Sequence, residues 1–198
     1  MSLNLEALLG QLTGEQLDTL SGSLGSDRGQ TQAAVAAAMP LLFEGLARNA
    51  SNADGAASLH GALAKDHDGS ILDNLGGFLR KPDTADGDGI LKHILGDRRT
   101  AIESGVSSSS GLDLSKVGPL LSTLAPILLG ALGRKQRADS LDTGGLSDLL
   151  GRERQGLQKR APELAGLAGL LDRDGDGQVA DDLAGLGGGL LGKLLGGR

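Results

Sequence analysis

Apolar residues recur three and four positions apart through most of the 198-residue chain. This spacing places them on one side of an α-helix, so the pattern predicts helices along most of the sequence. The two longest are predicted over residues 30–49 and 114–133, and shorter ones over residues 56–63, 98–104, 146–150 and 163–171. We expect Pro40 to kink or restart the first long helix, because proline lacks a backbone donor and clashes with the preceding turn.

Polar stretches rich in glycine or serine separate these apolar segments. KPDTADGDG (residues 81–89) predicts a loop, and VSSSSG (residues 106–111) predicts a flexible connector. DHDG (residues 66–69) predicts a turn before the apolar string ILDNLGGFL. The predicted helices are therefore short and irregularly spaced, apart from the two long ones.

The two long helices contain an internal repeat. AAMPLLFEGLAR (residues 37–48) aligns with TLAPILLGALGR (residues 123–134), and Pro40 and Arg48 match Pro126 and Arg134. Two helices rich in Leu and Ala can look alike through composition alone, but the matched prolines favour duplication. We therefore predict a helical domain over residues 1–150, with related units at about 2–97 and 98–150, and a tail over residues 151–198.

The amino-acid composition narrows the fold class to all-α. Phe43 and Phe78 are the only aromatic residues, so a core must be built from Leu, Ala, Ile and Val. Strands favour β-branched and aromatic residues, which makes a sheet the poorer interpretation. The prediction is an irregular multihelical array of two related helical units, with a C-terminal helix–loop–helix.

Charge and cysteine content exclude several classes of function. A formal net charge of −6 argues against nucleic-acid binding, because Lys and Arg must neutralise the phosphates. The absence of Cys excludes a disulfide framework and a thiol nucleophile. The N-terminal stretch lacks the regions of a signal peptide, and no apolar run reaches the roughly 18 residues of a membrane span. These patterns predict a soluble, cytoplasmic protein.

Four strings together resemble a known bacterial family. They are AAMPLLFEGLARNA, DGSILDNLGG, DGDGILKHILGDRR and LLSTLAPILLGALG. The chain is similar over residues 3–133 to the YidB-like family, also called domain of unknown function 937. The string ILKHILG, which contains His93, is similar to the most recognisable string of that family. The resemblance implies an all-helical fold, and it implies no catalytic activity because none is established for the family.

The stretch LLDRDGDGQVADDLAGL (residues 170–186) contains much of an EF-hand calcium loop. Such a loop holds oxygen ligands at alternate positions around one hard cation, with Gly at position six. Asp172, Asp174 and Asp176 occupy positions one, three and five, and Gln178 offers its backbone carbonyl at position seven. The sequence therefore predicts Ca²⁺ as a cofactor held by the tail.

The end of this loop departs from the EF-hand pattern. Position twelve, which is normally a bidentate glutamate, is Leu183, so the closing ligand must be Asp181 or Asp182. Asp182 is favoured slightly, because Leu183 can then begin the exit helix. The alternative is a metal-free turn whose aspartates cap a helix. Because so many neighbouring carboxylates repel one another, we favour the cation.

Two other acidic stretches resemble the tail loop. DHDGSILDNL (residues 66–75) aligns with DGDGQVADDL (residues 174–183), but Ala64 stands where the first ligand would be. It therefore predicts a turn of the same shape that does not hold metal tightly. DGDGIL (residues 86–91) is a weaker match.

The sequence predicts no active site. His60, His67 and His93 lie on different segments and lack the spacing of zinc ligands. No nucleophile elbow or phosphate-binding glycine loop occurs in the required context. We predict that the protein is not an enzyme; the one acid–base pair worth testing is His93 with Asp97.

The Gly/Leu-rich end of the chain leaves two functions open. Such a segment can lie on a membrane surface as an amphipathic helix, but glycine costs about 1 kcal/mol per residue inside a helix. Packing against the helix over residues 163–171 is therefore favoured. The predicted function is structural or interaction-type, with an unidentified protein partner and a calcium loop. The alternative is a peripheral membrane or self-association module that uses this tail.

Overall fold

The computed structural model describes Gly10, Leu12 and residues 14–160. Of these residues 85% are helical and none lies in a strand, which confirms the all-α prediction. The α-helices are α1 (Glu15–Leu24), α2 (Arg28–Asn49), α3 (Ala53–Lys65), α4 (Leu75–Arg80), α5 (Thr84–Leu95), α6 (Arg99–Ser110), α7 (Leu114–Ala138) and α8 (Thr143–Arg160). Short 3₁₀ helices span Ser70–Asn74 and Gly96–Arg98.

Helix α7 is the centre of the described fold. It packs against α2, α3, α5 and α6, and α8 packs against α2 and α3. Leucines at helical spacing bury one another here because each removes apolar surface from water. Leu120, Leu124 and Leu128 of α7 are fully buried. Phe43 of α2 is also buried, while Phe78 is partly buried against the core.

Neither long helix restarts at its prolines. Helix α2 continues through Pro40, and α7 continues through Pro119 and Pro126. A proline inside a helix costs about 3 kcal/mol, and burial on several sides of these helices offsets that cost. The missing donor at Pro126 leaves the Ser122 carbonyl without its helical partner, and Gly87 of α5 packs directly against this carbonyl.

The predicted loop at residues 81–89 is wrong beyond its first three residues. Helix α5 begins at Thr84, and the Asp83 side chain accepts hydrogen bonds from the backbone N–H groups of Ala85 and Asp86. A β-carbon on Gly87 would lie 1.9 Å from the Ser122 carbonyl oxygen. The glycines therefore allow α5 to approach α7 closely, and this packing outweighs their low helix propensity.

The predicted connector at residues 106–111 is also wrong, because α6 extends through the serines to Ser110. Val106 is fully buried and anchors this turn of the helix. The hydroxyls of Ser109 and Ser110 donate to the Val106 carbonyl, so the serine side chains bond back to the helix. Gly111 then ends α6 in the left-handed conformation.

Helix α8 is longer than the sequence predicts and runs without a break across residue 150. The Ser147 hydroxyl donates to the Ala50 carbonyl, and Arg154 pairs with Glu44 at 2.6 Å, so α8 runs antiparallel to α2. The division at residue 150 stays a prediction, since most of 151–198 lies outside the described residues. The two repeat segments both lie in long buried helices, and their duplication also stays a prediction.

Within the described part of the chain, α7 is the one helix long and apolar enough to cross a membrane. Of its apolar window, 78% is buried inside the molecule. This is the burial expected of a core helix.

Candidate binding groove

A groove of about 730 Å³ lies between the end of α2, α3, α5 and the middle of α7. A volume of this size, with mainly apolar walls and a few polar groups, is typical of binding sites. The apolar lining is formed by Leu46, Leu59, Ile90, Ile94 and Leu129. The polar lining includes Asn49, Asn52, Ser58, His67, Asp86 and His93.

The string ILKHILG supplies one wall of this groove. All four apolar side chains of its helical turns are buried in the core, and two of them, Ile90 and Ile94, also line the groove. Gly45 of α2 allows this placement, because a β-carbon there would lie 2.6 Å from the Ile94 side chain. The string therefore packs the core and forms part of the groove wall with the same helix.

His93 lies at the rim of the groove, where one hydrogen bond holds its ring and another holds its backbone carbonyl. Its ring Nδ1 lies 2.8 Å from the Gly89 carbonyl oxygen, and its own carbonyl accepts from Asn49 Nδ2 at 2.5 Å. A carbonyl can only accept, so Nδ1 donates and Nε2 of the neutral ring is an acceptor. The amide of Asn52 donates to the Asn49 carbonyl and accepts from the Gly55 N–H, which fixes the corner between α2 and α3.

The rim on the α5 side is therefore acidic and rich in acceptors. The exposed Asp86 carboxylate and the His93 Nε2 atom can accept a hydrogen bond, as can the Asn49 amide oxygen at the adjoining end of α2. Such a rim favours a ligand that donates hydrogen bonds or carries a positive charge, while the apolar walls favour a hydrocarbon surface.

A separate ionic network fixes the opposite side of α5. The Ser122 hydroxyl donates to Asp88 at 2.7 Å, and Arg99 bonds to Asp88 and Glu103 at 2.8 and 2.7 Å. The Ser122 hydrogen bond is the main cause that lowers the pKa of Asp88, and Arg99 lowers it further. The bond to Glu103 raises the pKa of Arg99. This network joins α5, α6 and α7.

Arginines of α7 pair with two carboxylates of the turn at residues 66–75. Arg137 pairs with Asp68 at 2.7 Å. Arg134 donates to Asp73 at 2.5 Å and to the Gly69 carbonyl at 2.6 Å. Gly69 has a φ of 93°, which favours glycine. Among the residues that the structure describes, no group of three or more His, Asp or Glu side chains could hold a metal ion.

The predicted calcium ligands lie outside the described residues. These are Asp172, Asp174, Asp176, Gln178, Asp181 and Asp182.

Of the histidines, His67 and His93 both line the groove, although the sequence places them on different segments. His60 lies elsewhere, with Nε2 at 3.2 Å from the Leu141 carbonyl oxygen. The sequence missed Asn49 and Asn52 as rim residues. Their only signal was the polar break that ends the first long helix.

Comparison with known protein families identifies the family of this chain. A family model described as "Bacterial protein of unknown function (DUF937)" matches residues 6–135. The matched range includes every residue that lines the groove. No curated protein and no solved structure matches the chain.

Proposed function

The chain belongs to the DUF937 family of bacterial proteins of unknown function, and we propose that it is a non-enzymatic interaction protein. Its groove between α2, α3, α5 and α7 binds an apolar segment of a partner that also carries a donor or positive charge. The observation that carries this proposal is the pairing of apolar walls with the acceptors on the α5 side of the rim.

A partner helix fits this groove for physical reasons. An amphipathic helix presents apolar side chains at positions i, i+3, i+4 and i+7, which is the usual mode of binding in an apolar groove. A lysine beside that apolar stripe would reach Asp86 or His93, whereas an acidic side chain would be repelled by Asp86.

Gly89 offers a way to block the groove without harming the fold. It lines the groove, and a β-carbon there would meet nothing within 4 Å. The substitution Gly89→Leu fills the groove and removes a helical glycine, which stabilises α5 by up to about 1 kcal/mol. Gly61→Leu is the matched control, since Gly61 is an exposed, uncrowded glycine of α3 that does not line the groove.

The test uses a synthetic amphipathic peptide of leucine and lysine, titrated by calorimetry. We expect the peptide to bind the unmodified chain and the Gly61→Leu variant, and binding to be lost in Gly89→Leu. A glutamate-for-lysine version of the peptide should bind more weakly. Equal binding to all three proteins would place the peptide elsewhere and contradict the proposal.

Substitution of His93 or Asp97 tests whether the protein catalyses an acid–base reaction. The Nδ1 atom of His93 is engaged with the Gly89 carbonyl of its own helix, which supports a role at a binding surface. Substrate turnover that His93→Gln abolishes, with peptide binding unchanged, would contradict the non-enzymatic proposal.

We further propose that the YidB-like chain binds Ca²⁺ through the EF-hand-like loop of its tail. Arginines neutralise the matching acidic turn at residues 66–75, whereas residues 172–182 contain five aspartates and a single arginine, Arg173. A bound cation would supply the missing positive charge and stabilise the tail by mass action. Calcium should raise the melting temperature, and Asp176→Ala should abolish the increase. An unchanged melting temperature in millimolar calcium would refute this.

The alternative function remains a peripheral membrane or self-association module that uses the Gly/Leu-rich tail. The apolar stretch beside Lys193 supports it. Deleting residues 183–198 should then abolish binding to anionic liposomes or self-association, and unchanged behaviour in both assays would exclude it. We propose a cytoplasmic location for either function.

A further inference from the structure

We infer that the tail segment, defined as residues 183–198 of this chain, docks into the groove of the same molecule and competes with an outside partner. The inference rests on the proposed function, because it uses the same groove, and it adds the identity of one occupant. Its basis is the chemistry of the groove, the composition of the tail segment and the position of the end of α8.

The composition of the tail segment is complementary to the groove. The segment LAGLGGGLLGKLLGGR contains Lys193 and Arg198 and no acidic residue. The groove has apolar walls, and the exposed Asp86 carboxylate and the His93 ring lie on its α5 side. Leucines can enter between Ile90 and Ile94 while Lys193 pairs with Asp86 at the rim.

The spacing of the leucines gives the tail segment two adjacent apolar sides when it is helical. At helical spacing, Leu183, Leu186, Leu190 and Leu194 share one side, and Lys193 lies at its edge. Leu191 and Leu195 lie on an adjacent side, which is free to meet the helix predicted over residues 163–171. Because glycines make such a segment a poor helix by itself, it needs an apolar surface to pack against.

The end of α8 is close enough to the groove for this docking. Arg154 contacts Glu44, six residues before α8 ends at Arg160, and Leu46 lines the groove half a turn further along α2. Because α8 runs antiparallel to α2, Arg160 lies about 12 Å from Leu46 along the helix axes at 1.5 Å per residue, and the roughly 10 Å between packed helices makes the total distance about 16 Å. Residues 161–182 connect the two. Even with the predicted helix over residues 163–171 at 1.5 Å per residue, the other residues of this stretch are long enough to cover the distance.

The test uses a single spin label, which the absence of Cys makes straightforward. Gly192→Cys places a nitroxide opposite the leucine side, where it does not obstruct the contact. We expect strong paramagnetic broadening of the methyl signals of Leu46, Ile90 and Ile94. Broadening should be weaker at Val35, about 16 Å further along α2. It should disappear in Gly89→Leu and persist in Gly61→Leu. Broadening that Gly89→Leu leaves unchanged would overturn the inference.

Mixing experiments separate docking within one molecule from docking between copies. Isotope-labelled chain without the nitroxide is mixed with unlabelled chain that carries it, and we expect no broadening. Broadening in this mixture would show that a second copy supplies the segment, which would overturn docking within one molecule.

Competition with the Leu/Lys peptide separates this inference from the proposed function. Deleting residues 183–198 should tighten peptide binding several-fold, because the competing segment is gone. Equal affinity of both chains would contradict docking of the tail segment while leaving the groove as a partner site. Groove broadening without peptide binding to either chain would instead contradict the proposed function alone.

Discussion

Gly87 and Gly89 lie two residues apart in α5 and face different surroundings. A β-carbon on Gly87 would lie 1.9 Å from the Ser122 carbonyl oxygen, whereas one on Gly89 would meet nothing within 4 Å. Gly87→Ala should therefore lower the free energy of unfolding by about 1–3 kcal/mol through overpacking. Gly89→Ala should raise it by up to about 1 kcal/mol. Urea denaturation followed by circular dichroism measures both, and equal effects would contradict the close approach of α5 to α7.

Asp88 should give the fold a small acid-sensitive contribution. Its pKa lies below the ordinary value of 3.8 because the Ser122 hydroxyl and Arg99 favour the carboxylate. A lowered pKa in the folded state stabilises the protein above the unfolded pKa, and this contribution is lost as the pH falls through the folded value. Asp88→Asn should be less stable at pH 7, by well under 1 kcal/mol because the side chain is 53% exposed. Melting temperatures measured from pH 7 downwards should converge below pH 3.8; a constant gap would refute the assignment.

At the scale of the elements, Arg134 of α7 holds the turn that follows α3. Arg134 holds both the Gly69 carbonyl and Asp73, whereas Arg28 makes an equally exposed pair with Asp18. Exposed ion pairs contribute about 0–1 kcal/mol to stability. The hydrogen bond from Arg134 to the Gly69 carbonyl adds a further contribution that Arg28 lacks. Arg134→Ala should therefore destabilise the protein more than Arg28→Ala, in denaturation at low and high salt. Part of the stability loss in Arg134→Ala should persist at high salt. Equal losses in both variants that disappear at high salt would contradict the role of the carbonyl hydrogen bond.

Helices could be predicted from local periodicity, but their ends and the groove depend on packing between distant segments. The glycines of residues 81–89 read locally as a loop. The Asp83 cap and the distant contact of Gly87 with the Ser122 carbonyl together favour a helix there. Similarly, the string ILKHILG indicated an unusual segment, but not a groove. The groove forms where α2 and α5 come together, and there the Asn49 amide donates to the carbonyl of His93, 44 residues later. A local sequence pattern does not predict a contact between segments so far apart.

At the scale of the whole molecule, α8 runs across the boundary that the sequence predicts at residue 150. The sequence places a boundary at residue 150, yet α8 continues to Arg160. Beyond residue 150, Arg154 pairs with Glu44 and Leu157 packs against the core. The second half of α8 therefore packs with the helices that precede the predicted boundary.

Two truncated chains test this boundary. Residues 1–160 keep all of α8, whereas residues 1–150 lose Arg154 and Leu157. We expect the shorter chain to have a free energy of unfolding about 2–3 kcal/mol lower, because it loses partly buried apolar area and an ion pair. Since both chains lack the Gly/Leu-rich end and the acidic stretch at residues 172–182, those regions cannot cause the difference. Urea denaturation followed by circular dichroism compares them. Equal stability would place the boundary at residue 150, with the second half of α8 as an appendage.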